Sequence, residues 1–527
     1  MSARLPGIML FAASAMAAAL AGAPAAARGV GPDAGSESAP VAAEANSAPT
    51  GMPAGLASLL PADGAQQVNP DTHLLLRFDQ PPVLGKSGLI RIHDAVTGRL
   101  VDTLDLSIPA GPTERTTLPQ APYLATPYGY ANGPRATNAN TRAGTPSAGA
   151  APGDTRYQLT IIGGFTDGFH FHPVIVRDKT ATIYPHHNLL DYGKRYRVQV
   201  DAEVFGMPLQ WQFSTKPRGP AADAGRVVVS ADGTGDFSTV QGALDYVPDH
   251  PARRVTIFVR NGDYEELVYF RNKSNITLQG EQRDKVRIHY ANNEVFNPHP
   301  PNISTNEVPG TFPSRRAAFA ADNVKGVHLR DLTLETTLKG QAEGLLITGS
   351  ENIVANTTII GSGDALQVNG STYLADVEIV GDGDTILGRG PAFFERCDIR
   401  SRHAFMWIRN TAANHGNVFL NCRFTTLDGG QTELARSPVN KGKGYPHAEA
   451  VLLNATLSGI SPAGWGPISG DTSQVRFWEF NSRNLDGTPV DVSQRHPASR
   501  QLTMERDAAT IRHYSDPASV LGWAPPR

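Results

Sequence analysis

Two cysteines in 527 residues leave no room for a disulfide framework or a cysteine-rich zinc site. Charge is scarce as well, at 18% of residues with a formal balance of −3. That near-neutral balance argues against a chain held to nucleic acid by a basic surface. Beyond the N-terminus no run is long and apolar enough to span a bilayer. What is present is enough apolar residue (40%) for a sizeable core, broken up by 52 glycines and 40 prolines. The expectation is a soluble, turn-rich protein, long enough for two or three domains of about 100–200 residues.

The N-terminus reads as an address. Leu5 to Gly22 is apolar and Ala-rich, follows a single charge at Arg4, and leads to Ala25-Ala26-Ala27, a small-residue cleavage pattern. Residues 1–27 are therefore expected to be a cleavable signal peptide, making the mature chain secreted or periplasmic, with no cysteine nearby for lipid attachment. Residues 28–52, rich in Ala, Pro, Ser and Gly, read as a flexible linker.

Short strand patterns follow over residues 53–216. Leu74–Phe78 is an apolar run, Tyr157–Ile161 and Tyr196–Val200 alternate, and Trp211-Gln212-Phe213 closes the set. Such runs between Gly, Pro and Asp clusters predict a small, Ig-like antiparallel β-sandwich. A Pro/Ala/Thr/Gly-rich insertion near 109–154 reads as a disordered loop, and Lys216–Pro220 as a domain hinge. His170, His172, His186 and His187 invite a metal reading, but no carboxylate sits beside them at ligand spacing. They are read as polar decoration, and no metal site is assigned.

Residues 226–524 repeat. After the Gly-rich turn Asp232–Asp236 and a short helix, units open at Asn275, Asp331, Asn356, Asp376, Arg396, Asn421 and Asn454. The second residues of the middle units stand at 332, 357, 377, 397 and 422, in steps of 25, 20, 20 and 25. A near-constant period with strand-like content predicts a parallel β-helix, whose coils stack at about 4.8 Å. Cys397 and Cys422 fall at equivalent positions on adjacent coils, facing the core, either as a disulfide or as stacked thiols.

The same register brings two acids together. Asp364 and Asp384 lie 20 residues apart, each seven beyond its repeat position, so they stack on one face. Two ionised carboxylates about 5 Å apart repel by roughly 3 kcal/mol at an effective dielectric of about 20. That is about two pKa units, so the pair splits into an ionised and a protonated member, a nucleophile or base beside a general acid. A ladder of turn aspartates is the alternative on spacing alone. Asp382, two residues from Asp384, ranks second because it is out of register with Asp364.

Six motifs in order now carry a family resemblance. They are Asp232–Gln241, Gly262–Glu266, Gln341–Leu345, Gly363–Leu366, Asp384–Gly388 and Leu434–Ser437 with Pro462–Trp465 beyond it. The region from Val227 to about Arg495 resembles the pectinesterase family, whose fold is a right-handed parallel β-helix. The resemblance implies an exported esterase acting on methyl esters of pectin or methylated oligogalacturonate, without metal or organic cofactor. It implies Asp384 as nucleophile, Asp364 as general acid and then base, Arg436 as the residue orienting Asp384, and Gln341 as an oxyanion donor. Gly363 stands where the family has a second oxyanion glutamine. Ala435, Ser437 and the Gly388-Arg389-Gly390 turn resemble a bacterial periplasmic or outer-membrane branch.

Substrate contacts are open between two readings. Trp407 and Trp465 are either sugar platforms or packing residues, and Arg389, Arg402 and Arg409 either meet galacturonate carboxylates or are solvated. A polygalacturonase would be expected to carry an adjacent Asp-Asp pair, which the chain lacks. Two alternatives keep the fold: an esterase or thioesterase on a non-pectin substrate, and a non-catalytic glycan-binding β-helix. A monomer is expected.

Overall fold

The computed structural model describes residues 53–115, 157–160, 162–163, 169–221, 223–298, 315–436, 439–440, 443–466 and 468–526. The expected signal peptide, linker and most of the 109–154 insertion lie outside the described residues.

The repeat seen in the sequence has a backbone cause. Each unit opens on a residue with left-handed φ: Asn275 (54°), Asp331 (61°), Asn356 (45°), Asp376 (57°), Arg396 (54°), Asn421 (56°) and Asn454 (54°). Asn and Asp tolerate this region better than other L-residues, which explains their recurrence. The residue after each corner turns into the core: Ile276, Leu332, Thr357, Val377, Cys397, Cys422 and Ala455 are all buried. Side chains of successive corners also pair along the stack. Asn356 Nδ2 donates to Asp331 Oδ1 at 2.9 Å, and Arg396, the one non-Asx corner of the seven, forks onto both oxygens of Asp376 at 2.9 Å.

Six of these corners, all but Asn275, join two parallel sheets, one of 14 strands and one of nine among the described residues. Connected in the right-handed sense favoured by parallel crossovers, they form a right-handed parallel β-helix, and the protein is predominantly β. Inside, like stacks on like. Leu334, Ile359, Ile379, Ile399, Phe424 and Leu457 are register partners coil by coil and all buried. Cys397 and Cys422 are free thiols in this core, with Cys397 N–H donating to Cys422 Sγ at 3.4 Å. The helices Met504–Tyr514 and Pro517–Leu521 lay Tyr514, Val520 and Leu521 against the outside of the large sheet.

Between Leu56 and Thr215 two sheets face each other as a sandwich. One holds Leu56–Leu60, Leu74–Phe78, Thr180–Ile183 and Val174–Arg177; the other holds Ala65–Val68, Leu209–Thr215, Arg195–Val200, Leu89–Asp94 and Leu100–Asp105. Pairing is antiparallel except where Ala65–Val68 runs parallel to Leu209–Thr215. The alternating run at Tyr157 yields only the strand Leu159–Thr160, paired with Phe169–His170 away from both sheets.

The expected hinge at residues 216–220 is instead a docked connection, and Gly51–Arg527 is one compact unit. The sandwich core continues without a break into Leu267, Tyr269, Tyr290, Phe296 and Leu346 of the β-helix. Phe169 lies 4.5 Å from Tyr269 between ring centroids. Asp71 of the sandwich accepts from the N–H groups of Ser238 (2.9 Å) and Thr239 (2.8 Å) at the start of the helix Val240–Tyr246. Lys216 itself donates to Gly235 O at 2.7 Å. The histidines are not mere decoration either. His186 is buried on Asp102 at 2.7 Å, and His187 pairs with Asp245 of the β-helix. Among the described residues no cluster suits a metal ion, and no helix is long and apolar enough to cross a membrane.

The corner conformation is testable. Asn356→Val should lose about 1–2 kcal/mol of stability by urea unfolding, because a β-branched side chain is strained at positive φ. Asn356→Gly should lose less than the valine variant; equal losses would remove the conformational explanation.

Candidate active site

The strands Leu345–Ala355, Leu366–Ala375, Ile386–Glu395 and Met406–Ile408 lie side by side, with Leu345, Leu366, Ile386 and Met406 in register. Two residues before the first three of these stand Glu343, Asp364 and Asp384. The ladder, whose strands repeat at about 4.8 Å, thus sets the three acids on successive coils in one column, and the Asp364 carboxyl feels both Glu343 and Asp384. The Ala365 and Leu366 N–H groups both donate to Thr385 O, at 3.0 and 2.9 Å, and pin Asp364 to the coil carrying Asp384. Asp384 itself has φ +45°, a conformation that aspartate tolerates and that lifts it out of the extended run.

Guanidinium groups face this column. Arg436 Nη1 donates to Asp384 Oδ2 at 2.7 Å. Arg316, 14% exposed, forks onto the fully buried Glu343 at 2.7–3.0 Å, and its Nη2 also contacts Asp364 Oδ2. Arg409 is buried beside them, its Cζ 4.5 Å from the Trp407 ring centroid, with Arg436 at 4.4 Å from the same ring. Burial drives the Asp364 carboxyl up to about 7; Arg316 opposes the rise, while Glu343 and Asp384 add to it. Burial also raises Asp384, against the opposing ion pair with Arg436. One carboxyl is thus held near its proton at neutral pH while its neighbour carries a cation, the asymmetry a nucleophile and general acid require.

The other expected residues fall differently. Gln341, two residues ahead of Glu343, is exposed, and its carbonyl accepts from Glu294 N–H at 3.0 Å. Gly363 beside it has φ +73°, and a Cβ there would meet Gly340 O at 3.0 Å, so this backbone disfavours any side chain. Trp407 is half-buried one coil beyond Asp384, its ring engaged by the two guanidinium groups and edge-on to Tyr445 at 6.0 Å. The Arg389 guanidinium lies 5.8 Å from the Tyr445 ring.

Trp465 requires correction as a sugar platform. It is 1% exposed, stacks on Phe477 at 4.8 Å, and donates its indole N–H to Glu479 Oε1 at 3.0 Å. Both its ring and its polar edge are occupied in the core, leaving no face for a ligand. Arg402 and Asp382 pair with each other at 2.8 Å, and Arg402 also pairs with Asp428, so neither acts on the column. Arg316 and Glu343 escaped the sequence reading. A weak signal existed: Glu343, Asp364 and Asp384 are spaced by 21 and 20 residues.

The site is a parallel β-helix presenting stacked acids that are each paired with an arginine. The pectinesterase family model matches residues 226–510, more than half of the chain. The chain belongs to the pectinesterase family. Probable pectinesterase 30 of Arabidopsis thaliana is 28% identical over 275 residues, 50% of this chain and 53% of the relative. A pectinesterase/pectinesterase inhibitor of Ficus pumila var. awkeotsang is 30% identical over 258 residues, 45% of this chain and 44% of the relative. The chain spans about half the length of these curated relatives. Among solved structures, the pectin methylesterase from carrot aligns with a TM-score of 0.46 at 22% identity, covering 56% of this chain and 92% of that one.

Trp465 supplies a stability test. Trp465→Ala should cost about 3–5 kcal/mol in urea unfolding, as expected for a large aromatic removed from a packed core. A loss below about 1 kcal/mol, the scale of surface changes, would contradict its structural assignment.

Proposed function

We propose that the protein is an exported pectinesterase, hydrolysing methyl esters of pectin or methylated oligogalacturonate. The observation that carries this reading is the in-register pair Asp364 and Asp384, with Arg436 at 2.7 Å from Asp384. Membership of the family supports the same chemistry.

In the proposed mechanism the Asp384 carboxylate attacks the ester carbonyl carbon and Arg436 keeps it ionised and oriented. The exposed Gln341 amide donates to the developing oxyanion. As the C–O bond to methoxide breaks, the Asp364 proton passes to the leaving oxygen and methanol departs. The remaining acyl-enzyme is an anhydride on Asp384. Asp364, now ionised, takes a proton from water, whose oxygen attacks the acyl carbon and releases the free acid and Asp384. Trp407, Arg389 and Arg409 border this region and are the proposed contacts for the sugar rings and their free carboxylates.

The Ala25-Ala26-Ala27 pattern supports export, and the exported chain is read as a monomer comprising a sandwich (53–216) and a catalytic β-helix (226–524). The residues around Arg389 and Arg436 are the reason to place it in a bacterial periplasmic or outer-membrane branch. Gly363 favours a second reading, an ester or thioester outside pectin, because one side-chain donor of the family pattern is missing.

Methanol release from highly methylated pectin and from methylated oligogalacturonates separates these readings. Wild type should release it, and Asp384→Ala should be slower by about 10⁴-fold or more, the scale of losing a nucleophile. No release from either substrate by wild type would reject the pectinesterase reading. The pH dependence has a defined sign. Asp364 must enter protonated, so kcat/KM should fall as pH rises through about 7 and fall again on the acid side as Asp384 gains a proton. A profile flat from neutral to alkaline pH would remove Asp364 as the acid.

A further inference from the structure

The column does not end at Asp364. Glu343 continues it by one rung, fully buried, where a neutral packing residue would suffice to fill the core. A buried carboxylate persists only with a partner, and here the partner is Arg316, which touches both Glu343 and Asp364. Arg316 reaches them from the preceding coil, just ahead of the strand Phe319–Lys325, whose Phe319 is in register with Leu345. The Ala318 N–H donates to Glu343 O at 2.9 Å, which fixes the two backbones relative to each other. Burial works against the Arg316 charge, yet Glu343 and Asp364 hold its guanidinium above the ordinary range.

We propose that Arg316 and Glu343 are positioning residues that hold the Asp364 carboxylate in place and set the pH at which it changes from acid to base. This proposal rests on the esterase reading for its consequence in catalysis, but not for its electrostatics. The two members act with opposite signs. Arg316 alone would stabilise ionised Asp364 and deprive the reaction of its acid. Glu343, on which the guanidinium is forked, offsets that field, so Asp364 is anchored by a hydrogen bond from Arg316 Nη2 without being forced to ionise. The contact from Arg316 Nη2 holds one Asp364 oxygen, Oδ2, while the same guanidinium stays forked on Glu343.

The charged groups around Asp364 are Arg316, Glu343, Asp384 and Arg409. Behind them, Arg316 also feels Glu294, which pairs with Arg115 of the sandwich. Arg409 feels Arg389 and Tyr445, and Asp384 carries Arg436. None of these duplicates the direct contact that Arg316 makes, so its removal is not compensated within the column.

The test is the titration of Asp364 in the full chain, carboxyl-labelled and followed by NMR, with Asp364→Asn assigning the signal. Arg316→Gln should raise the midpoint by about one pH unit or more, because three carboxylates then face each other with one cation fewer. Glu343→Gln should lower it by about one unit or more, because Arg316 is then unopposed. The double variant should return towards wild type, and Arg316→Lys, which keeps the charge, should move the midpoint less than Arg316→Gln. The alkaline limb of kcat/KM should follow the same order. Shifts of the same sign in both single variants, or no shift in either, would overturn the proposal. Should Arg316→Gln fail to fold, Glu343→Gln against the double variant gives the same decision. Midpoints that move in opposite directions in a protein releasing no methanol would uphold the pair's role and reject the esterase reading. Methanol release with unmoved midpoints would do the reverse.

Discussion

Everything in this molecule depends on strand register. A parallel ladder repeats at about 4.8 Å, and residues at matching positions of successive coils have no choice but to stack. In the core this stacks Ile on Ile and Cys on Cys. At the strand entrances it stacks Glu343, Asp364 and Asp384. The same geometry that buries an apolar column cheaply therefore confines three acids at a spacing at which they cannot all ionise without help.

Help comes as cations from outside the column. Arg436 arrives from a later coil onto Asp384, Arg316 from an earlier one onto Glu343 and Asp364, and Arg409 lies between. Each end of the acid column has its own arginine, while the middle acid, Asp364, shares Arg316 with Glu343. That leaves Asp364 with a carboxyl held up near neutral pH by burial, while Asp384 keeps a hydrogen-bonded cation. Division of labour between chemically identical side chains follows from which neighbour each meets.

Much of this was legible in the sequence because a solenoid writes its structure locally. Corner residues recur as Asn or Asp, the next residue is apolar or small, and the period places Asp364 over Asp384. What depended on distant segments was less legible. Arg316 lies 27 residues before Glu343 and 48 before Asp364, across an irregular coil, so no period connects them. Trp465 sits in a motif that resembles a binding element, yet its indole is consumed by Phe477 and Glu479. The apparent hinge failed for a similar reason. Lys216–Pro220 has a linker's composition, but the contacts that weld sandwich to β-helix come from Asp71, Phe169 and Tyr269, which are far apart along the chain.

The central chemical claim is that Asp384 becomes acylated. The most direct measurement is turnover of a methylated oligogalacturonate in the presence of hydroxylamine, followed by peptide mass mapping. An anhydride at Asp384 exposes its own carbonyl to the amine, so the account predicts substrate-dependent inactivation with a hydroxamate on Asp384. Methanol release that proceeds with Asp384 unmodified, or modification that appears equally without substrate, would contradict it.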